Sequence, residues 1–124
     1  MTELKRNFAD LFSRFDDHWS PKVAGVLDQH LVKVVKIAGA FDWHSHANED
    51  ELFIVMKGVL RMEFRDHVER ISAGEFIIVP KGVEHRPCAE TPEVEMVLIE
   101  RDTVVNTGDG PDTQRTVRDL ERLT

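Results

Sequence analysis

The segment from residue 39 to residue 58, GAFDWHSHANEDELFIVMKG, carries the strongest local pattern in the chain. Two of its histidines, His44 and His46, are separated by a single residue. Because alternate side chains of an extended strand point to the same face, both imidazoles would project together while Ser45 points away. Acidic residues occupy positions 49–51 directly afterwards. The segment therefore predicts imidazole and carboxylate groups close to one another.

A third histidine, His85, lies at the predicted start of another strand, after the turn Val79–Pro80–Lys81–Gly82. Proline at the second position and glycine at the fourth suit a type I turn. Three imidazoles with one carboxylate make a mixed nitrogen and oxygen donor set that suits Fe, Mn, Co, Ni, Cu or Zn. Both faces of the strand after position 51 are apolar, so periodicity does not choose between Asp50 and Glu51 as the carboxylate.

Short segments rich in β-branched and aromatic residues extend from about residue 29 to residue 101, separated by Gly, Asp, Pro and Asn. In the clearest one, Leu60, Met62 and Phe64 alternate with charged residues, which predicts one buried and one solvated face. About eight such strands, at roughly ten-residue spacing, predict an all-β sandwich or small barrel. Strands and helices do not alternate, which argues against a doubly wound α/β fold.

The two ends of the chain differ from this strand pattern. Residues 3–16 have the spacing of an amphipathic helix, which we expect to pack on the body of the protein or on a second subunit. Its apolar stripe consists of Leu4, Phe8, Leu11, Phe12 and Phe15. The tail, residues 102–124, is predicted to be a loop with a short strand or helical turn near residues 117–120. Residues 1–124 are predicted to form a single domain.

The overall charge limits the classes of partner. The chain has 124 residues, with 23 acidic and 16 basic side chains and a formal net charge of −7. Nucleic acid and anionic membrane surfaces attract clustered lysine and arginine, so neither is expected as a partner. The single cysteine, Cys88, excludes an internal disulfide, and no apolar run approaches the length of a membrane span. The charged N-terminus does not look like a secretion signal, so a cytoplasmic protein is expected.

Two stretches together resemble the conserved motifs of the cupin superfamily. Residues 39–58 are similar to the first motif, in which glycine, His-x-His, glutamate and glycine follow at characteristic intervals. Residues 74–89, GEFIIVPKGVEHRPCA, are similar to the second, which runs from glycine through Pro-x-Gly and histidine to asparagine. Two departures are visible: four residues instead of five separate Gly39 from His44, and Ala89 replaces the asparagine.

The resemblance implies an antiparallel jelly-roll β-barrel, here with an N-terminal amphipathic helix, and a divalent transition metal inside one mouth. The metal ligands that it implies are His44, His46, Glu51 and His85. Neither departure from the motifs removes one of these ligands. Four protein ligands on an octahedral ion would leave two positions for water or substrate.

Other side chains near the predicted site have expected roles. Candidates to orient the imidazoles, with solvated turn residues as the alternative, are Asp42, Asn48 and Asp50. Apolar residues expected to line the cavity are Phe53 and Val55, together with Met62 or Phe64. The remaining expectations are packing for Trp43 and Cys88, a salt bridge for Arg86, and exposure to solvent for His18, His30 and His67.

The expected function is that of a metal-dependent enzyme acting on a small molecule inside the barrel, by dioxygenase-type or isomerase-type chemistry. An isomerase of the sugar-phosphate type needs a base beside the metal, for which the candidates are Glu84 and a metal-bound hydroxide. The alternative is a non-catalytic module that binds or senses a metal or small ligand. Cupin barrels commonly dimerise through sheet edges, so the resemblance also implies a homodimer.

Overall fold

The computed structural model describes residues 4–123, which contain one short helix and eight strands. The elements are α1 (Phe8–Phe12), β1 (Lys22–Leu27), β2 (His30–Ile37), β3 (Glu51–Lys57), β4 (Val59–Phe64), β5 (Val68–Ser72), β6 (Phe76–Val79), β7 (His85–Ala89) and β8 (Val94–Arg101). The predicted all-β class is confirmed. The first strand begins earlier than the predicted start near residue 29, because a register shift between Val23 and Gly25 interrupts the alternation that marks a strand in the sequence.

The strands form two antiparallel sheets that enclose one apolar interior. The larger sheet has the order β1-β2-β8-β3-β6 and the smaller one β5-β4-β7. The predicted alternation on β4 is confirmed, because Leu60 and Met62 are fully buried while Arg61 and Glu63 reach the surface. The interior is filled from both sheets by Val35, Ile37, Phe53, Val55, Leu60, Met62, Ile71, Val79, Val94, Met96 and Leu98.

The N-terminal helix is shorter than the predicted span of residues 3–16. It begins after Asn7, whose extended backbone and side-chain oxygen cap the Asp10 N–H, and it ends at Phe12. Residue 3 lies outside the described residues, and Leu4 is 93% exposed. Of the predicted stripe, Leu11, Phe12 and Phe15 are buried against the outer face of the large sheet. The helix therefore covers this chain's own sheet. No helix in residues 4–123 has the length and apolarity to cross a bilayer.

The C-terminal tail also differs from the prediction, since residues 117–120 form neither a strand nor a helical turn. Pairing occurs a few residues later, where Leu123 N–H donates to the Val23 carbonyl and Val23 N–H donates to the Glu121 carbonyl. A parallel bridge joins Val23 to Arg122. Backbone groups make this contact, which explains why the side-chain pattern of the tail does not reveal it.

The turn between β3 and β4 requires glycine for two reasons, and a second glycine provides a matched control. Gly58 has φ +83°, and a Cβ there would lie 2.5 Å from the Glu93 carbonyl oxygen. Gly74 has φ +87°, but no atom lies within 4 Å of the position that a Cβ would take there.

We expect Gly74→Ala to lower the free energy of unfolding by about 1 kcal/mol through backbone strain alone. Gly58→Ala should cost roughly 3 kcal/mol because a steric clash is added. Urea denaturation measures both, and equal losses would contradict this reading of the turn.

Candidate metal centre

An extended segment between β2 and β3 carries His44 and His46 to one end of the barrel. It is anchored to β7 by an isolated antiparallel bridge, in which the backbone N–H of His44 and that of His85 each donate to the other's carbonyl. The bridge places two histidines side by side although the chain separates them widely. Glu51 begins β3 and pairs with Val79, so its side chain enters the same end of the barrel.

The four residues assigned by the resemblance lie together. His44, His46, Glu51 and His85 are all buried, and a donor atom of each lies within 4.8 Å of the others. Glu51 Oε1 is 3.1 Å from His85 Nε2 and 3.0 Å from His46 Nε2. Three imidazoles therefore surround one carboxylate in the barrel interior.

Backbone carbonyls orient two of the imidazoles. Nδ1 of His44 donates to the Asp42 carbonyl oxygen at 2.9 Å, and Nδ1 of His85 donates to the Val83 carbonyl oxygen at the same distance. In each ring Nδ1 therefore carries the proton, which leaves Nε2 as the lone-pair donor. The prediction that Asp42 orients an imidazole is therefore confirmed through its backbone carbonyl, while its carboxylate accepts from the Thr113 hydroxyl.

For the other two candidates, Asn48 and Asp50, the alternative of solvated turn residues is confirmed. Asn48 and Asp50 are exposed, and the Asp50 carboxylate accepts the Lys81 backbone N–H at 2.8 Å. Strand alternation explains the difference, because Glu51 points inward at the start of β3 and its predecessor points out. The structure thus chooses Glu51 over Asp50 as the carboxylate of the cluster.

The charge states of the cluster follow from burial and proximity. Burial, with the nearby His85 ring adding to it, lowers the pKa of His44 to about 4. Burial also favours neutral His46, but the Glu51 carboxylate outweighs it and raises the pKa of His46. Burial opposes ionisation of Glu51, yet the adjacent His46 and His85 rings hold the pKa of Glu51 well below its usual range. A carboxylate and neutral imidazoles are the forms that bind metals.

The unpaired ring nitrogens of one buried histidine support the conclusion that the four residues fit a metal ion. His46 is 2% exposed; its Nδ1 has no hydrogen-bond partner, and its Nε2 lies 3.0 Å from Glu51 Oε1 without the geometry of a hydrogen bond. A buried polar atom without a partner costs about 1–3 kcal/mol, so the arrangement calls for an additional group. A divalent transition ion would take the Nε2 lone pairs and the Glu51 carboxylate, and three nitrogens with one oxygen suit such ions. The four residues therefore fit a divalent metal.

A narrow apolar cavity adjoins the cluster, with His44 and Glu51 in its wall. Its other lining residues are Trp19, Pro21, Val35, Ile37, Phe41, Phe53, Pro87, Met96, Leu98, Glu100 and Asn106. Phe53 lines it as predicted. Val55 and Met62 belong to the packed core, and Phe64 stacks on His67 near the surface, so these three are not cavity residues. No lysine or arginine among the described residues lines the cavity.

The sequence analysis missed two charged residues inside the barrel. Lys33 on β2 and Glu100 on β8 are each 2–3% exposed, and Lys33 Nζ lies 2.8 Å from Glu100 Oε1. Burial, with the Glu51 carboxylate adding to it, raises the pKa of Glu100 well above its usual range. The alternation Met96, Leu98, Glu100 is the signal that places a glutamate on the buried face of β8.

The tail contributes to the site through its backbone, which the sequence analysis did not anticipate. Asp109 N–H donates to the Ser45 carbonyl, and the Asp109 carboxylate accepts Ala47 N–H at 2.6 Å. A Cβ on Gly108, which has φ +84°, would lie 2.5 Å from the Ser45 carbonyl oxygen. The loop at positions 105–109 therefore holds the histidine segment in place, and it needs glycine to approach that closely.

Most expectations for the remaining side chains are confirmed. Arg86 pairs with Glu63, and Trp43 packs under the Arg65 guanidinium outside the cavity. Cys88 is fully buried, and burial raises the pKa of its thiol. The histidines outside the cluster are exposed as predicted: His18, His30 and His67.

Glu84 does not occupy the position that an active-site base requires. Its side chain is 48% exposed and pairs with Arg65 on the surface. Glu84 directly precedes His85, whose side chain points inward, so the Glu84 side chain points away from the barrel interior. Glu84 is therefore excluded as the base beside the metal.

Comparison with known proteins agrees with this architecture. The cupin domain family, Cupin_2, matches residues 31–102, which is more than half of the chain. An uncharacterised protein of Bacillus subtilis strain 168, YdbB, is 34% identical over 84 residues, covering 60% of this chain and 74% of that protein.

Two crystal structures are similar to this chain along most of their own length. A cupin-2 domain protein from Shewanella frigidimarina is 47% identical, with a TM-score of 0.76 over 77% of this chain and 93% of that one. A protein from Neisseria meningitidis is 28% identical, with a TM-score of 0.72 over 78% of this chain and 98% of that one. Motifs, barrel topology and relatives agree, and the chain belongs to the cupin domain family.

Proposed function

We propose that the protein is a metal-dependent enzyme that acts on a small uncharged molecule inside the barrel, by dioxygenase-type chemistry. The observation that carries the proposal is the position of His44 and Glu51, which belong both to the metal-binding cluster and to the wall of the apolar cavity. A molecule in the cavity would therefore lie beside a metal held by the cluster. Buried apolar walls exclude bulk water from that position.

The charge of the cavity favours this chemistry over isomerisation of a sugar phosphate, which was the other expectation. A phosphate group needs cationic side chains or free backbone N–H groups. Among the described residues, the cavity wall instead contains the two acidic side chains Glu51 and Glu100 and no lysine or arginine. These features support a neutral substrate over a phosphorylated one.

The protein's own residues would hold and orient the reactants. His44, His46, Glu51 and His85 would hold the ion, and Phe53 with the other apolar residues would enclose the substrate. A bound ion of this kind supplies Lewis-acid activation and, if it is iron, one-electron chemistry with dioxygen. In a dioxygenase both oxygen atoms enter the product, so the reaction needs no external reductant.

Oxygen consumption tests this proposal. Protein purified without a histidine tag and loaded anaerobically with Fe²⁺ would be mixed with small diols, enols and thiols in air-saturated buffer. We expect oxygen uptake that is stoichiometric with the substrate consumed, and none with the His85→Ala variant. Oxidation by free iron is controlled by the same additions without protein. Absence of uptake with the whole panel would overturn the proposal in favour of a module that binds a ligand without turnover.

We also propose that the protein forms a homodimer through the free edge of β6. Phe76 and Ile78 on this strand are 63% and 54% exposed, and β6 is the outermost strand of the large sheet. Unpaired strand edges with apolar side chains favour pairing with a second copy of the chain.

Sedimentation velocity should show a dimer that the double substitution F76E/I78E converts to a monomer. The control V26E/L27E changes exposed residues of β1 and should leave the dimer intact. A wild-type monomer at all concentrations would contradict the proposal.

A further inference from the structure

The imidazole of His46 has one nitrogen for which the four-residue cluster does not account. In the rings of His44 and His85, Nδ1 donates to a backbone carbonyl, which leaves Nε2 for a metal. In His46, Nε2 lies beside Glu51 Oε1, whereas Nδ1 is buried and has no hydrogen-bond partner. One ion cannot bind both nitrogens of a ring, because their lone pairs point in different directions. Nδ1 of His46 therefore needs a group of its own.

Two carboxylates outside the cluster lie close to this imidazole. A ring nitrogen of His46 and one carboxylate oxygen each of Glu49 and Asp109 lie within 4.8 Å of one another. His46 Nδ1 nevertheless makes no hydrogen bond to either carboxylate. Ligand atoms that bind one divalent ion at about 2.0–2.2 Å are separated from each other by roughly 3–4 Å. The spacing of the three groups thus fits donors arranged around an ion.

Neighbouring groups already hold both carboxylates in position. The Thr103 hydroxyl donates to Glu49 Oε2 at 2.6 Å, and the Ala47 N–H donates to Asp109 Oδ2 at 2.6 Å. Each carboxylate keeps a second oxygen with no hydrogen-bond partner among residues 4–123. Asp109 is exposed and Glu49 is half-buried, so an ion can reach them from solvent. The donors are therefore both fixed and accessible.

We propose that His46, Glu49 and Asp109 form a second site for a divalent transition ion, with His46 Nδ1 as its nitrogen ligand. His46 would then bridge this ion and the one held by the four-residue cluster. The inference goes beyond the proposed function and does not depend on its reaction. One imidazole nitrogen with two carboxylate oxygens suits zinc, manganese or iron, and three protein ligands leave room for water.

The charges and the protons of the two sites balance. When both ions are bound, the Nδ1 proton of His46 leaves to solvent and the ring becomes an imidazolate. The two divalent ions carry four positive charges between them. Four negative groups match these charges: the imidazolate and the carboxylates of Glu49, Glu51 and Asp109.

The number of zinc ions bound to each chain tests the proposal. Untagged protein would be dialysed against Zn²⁺ with excess Mg²⁺, which competes for weak sites made only of carboxylates, and then examined by elemental analysis. We expect about two ions per chain in the wild-type protein and about one in E49Q/D109N. The amide side chains keep the oxygens that accept from Thr103 and Ala47 but carry no charge.

A matched control is available at another histidine that lies between two carboxylates. His67 Nδ1 is 2.8 Å from Asp66 Oδ1, and His67 Nε2 is 3.2 Å from Glu69 Oε2. Both ring nitrogens are thus paired, and the ring is exposed. We expect D66N/E69Q to bind as many zinc ions as the wild-type protein. Should E49Q/D109N fail to fold, D109N alone should weaken binding of the second ion at least about tenfold.

Several zinc counts would overturn the inference. They are one ion in the wild-type protein that E49Q/D109N retains, two ions in E49Q/D109N, and loss of an ion from D66N/E69Q. Wild-type affinity for the second ion in D109N would also overturn it. One wild-type ion that E49Q/D109N loses would instead support the second site and contradict the four-residue centre that the proposed function needs. The two failures are therefore distinguishable, and a wild-type protein that binds no zinc would overturn both.

Discussion

Replacing His44 and His46 together with alanine is expected to lower the affinity of the protein for divalent transition metals by more than about 100-fold. The substitution removes two of four clustered donors, and the remaining pair, Glu51 and His85, binds too weakly to retain an ion through purification. Elemental analysis of untagged protein measures the loss of bound metal directly.

A metal at about 100 times its dissociation constant stabilises the native state by about 2.7 kcal/mol. The thermal midpoint of metal-loaded wild-type protein should accordingly exceed that of the variant by about 10 °C.

The control for this experiment is H30A/H67A, which removes the same number of imidazoles from exposed positions. We expect its metal content to equal that of the wild-type protein, because neither residue belongs to the cluster. If H44A/H46A keeps the metal content of the parent, the assignment of the site is wrong. If the control loses metal as well, binding is a property of surface histidines and does not require the cluster.

Replacing Glu100 alone with leucine is expected to lower the free energy of unfolding by about 3–5 kcal/mol, because it leaves the Lys33 ammonium in the barrel without its partner. Replacing both residues in K33M/E100L should cost less than about 1 kcal/mol, since apolar side chains of similar volume can fill the same space. With Lys33→Met as the second single variant, these proteins form a double-mutant cycle with a large coupling free energy. Urea denaturation of metal-free proteins measures each corner of the cycle.

An exposed ion pair provides the comparison for that cycle. Arg118 and Asp112 lie 2.6 Å apart with both side chains more than half exposed, so Asp112→Leu should leave stability unchanged within error. If E100L lowered the free energy of unfolding as little as D112L does, water would have to reach Lys33 in the variant. The pair would then contribute no more than an ordinary surface contact.

Local patterns predicted the elements whose side chains alternate cleanly. Leu60 and Met62 on β4 are buried as their spacing requires, since a strand that packs on one face needs an apolar residue at every second position. The same reasoning missed β1, because its irregular register breaks the period. It also overestimated the length of α1. The spacing of Leu11, Phe12 and Phe15 suits a long continuous helix as well as one short helix followed by a bend.

The sequence alone determined the all-β class and the shared direction of His44 and His46, because these depend on the two-residue period of an extended chain. It also predicted the exposure of His18, His30 and His67, which lie in turns or at the start of a strand. Only the tertiary structure decided which distant groups meet. The backbone bridge between His44 and His85 closes the metal-binding cluster, and the register of β2 against β8 brings Lys33 to Glu100. Periodicity gives the face on which a side chain lies, whereas strand pairing across the barrel gives its neighbours. The proposed metal centre depends on both, since periodicity directs His44 and His46 to one face and the bridge brings His85 beside them.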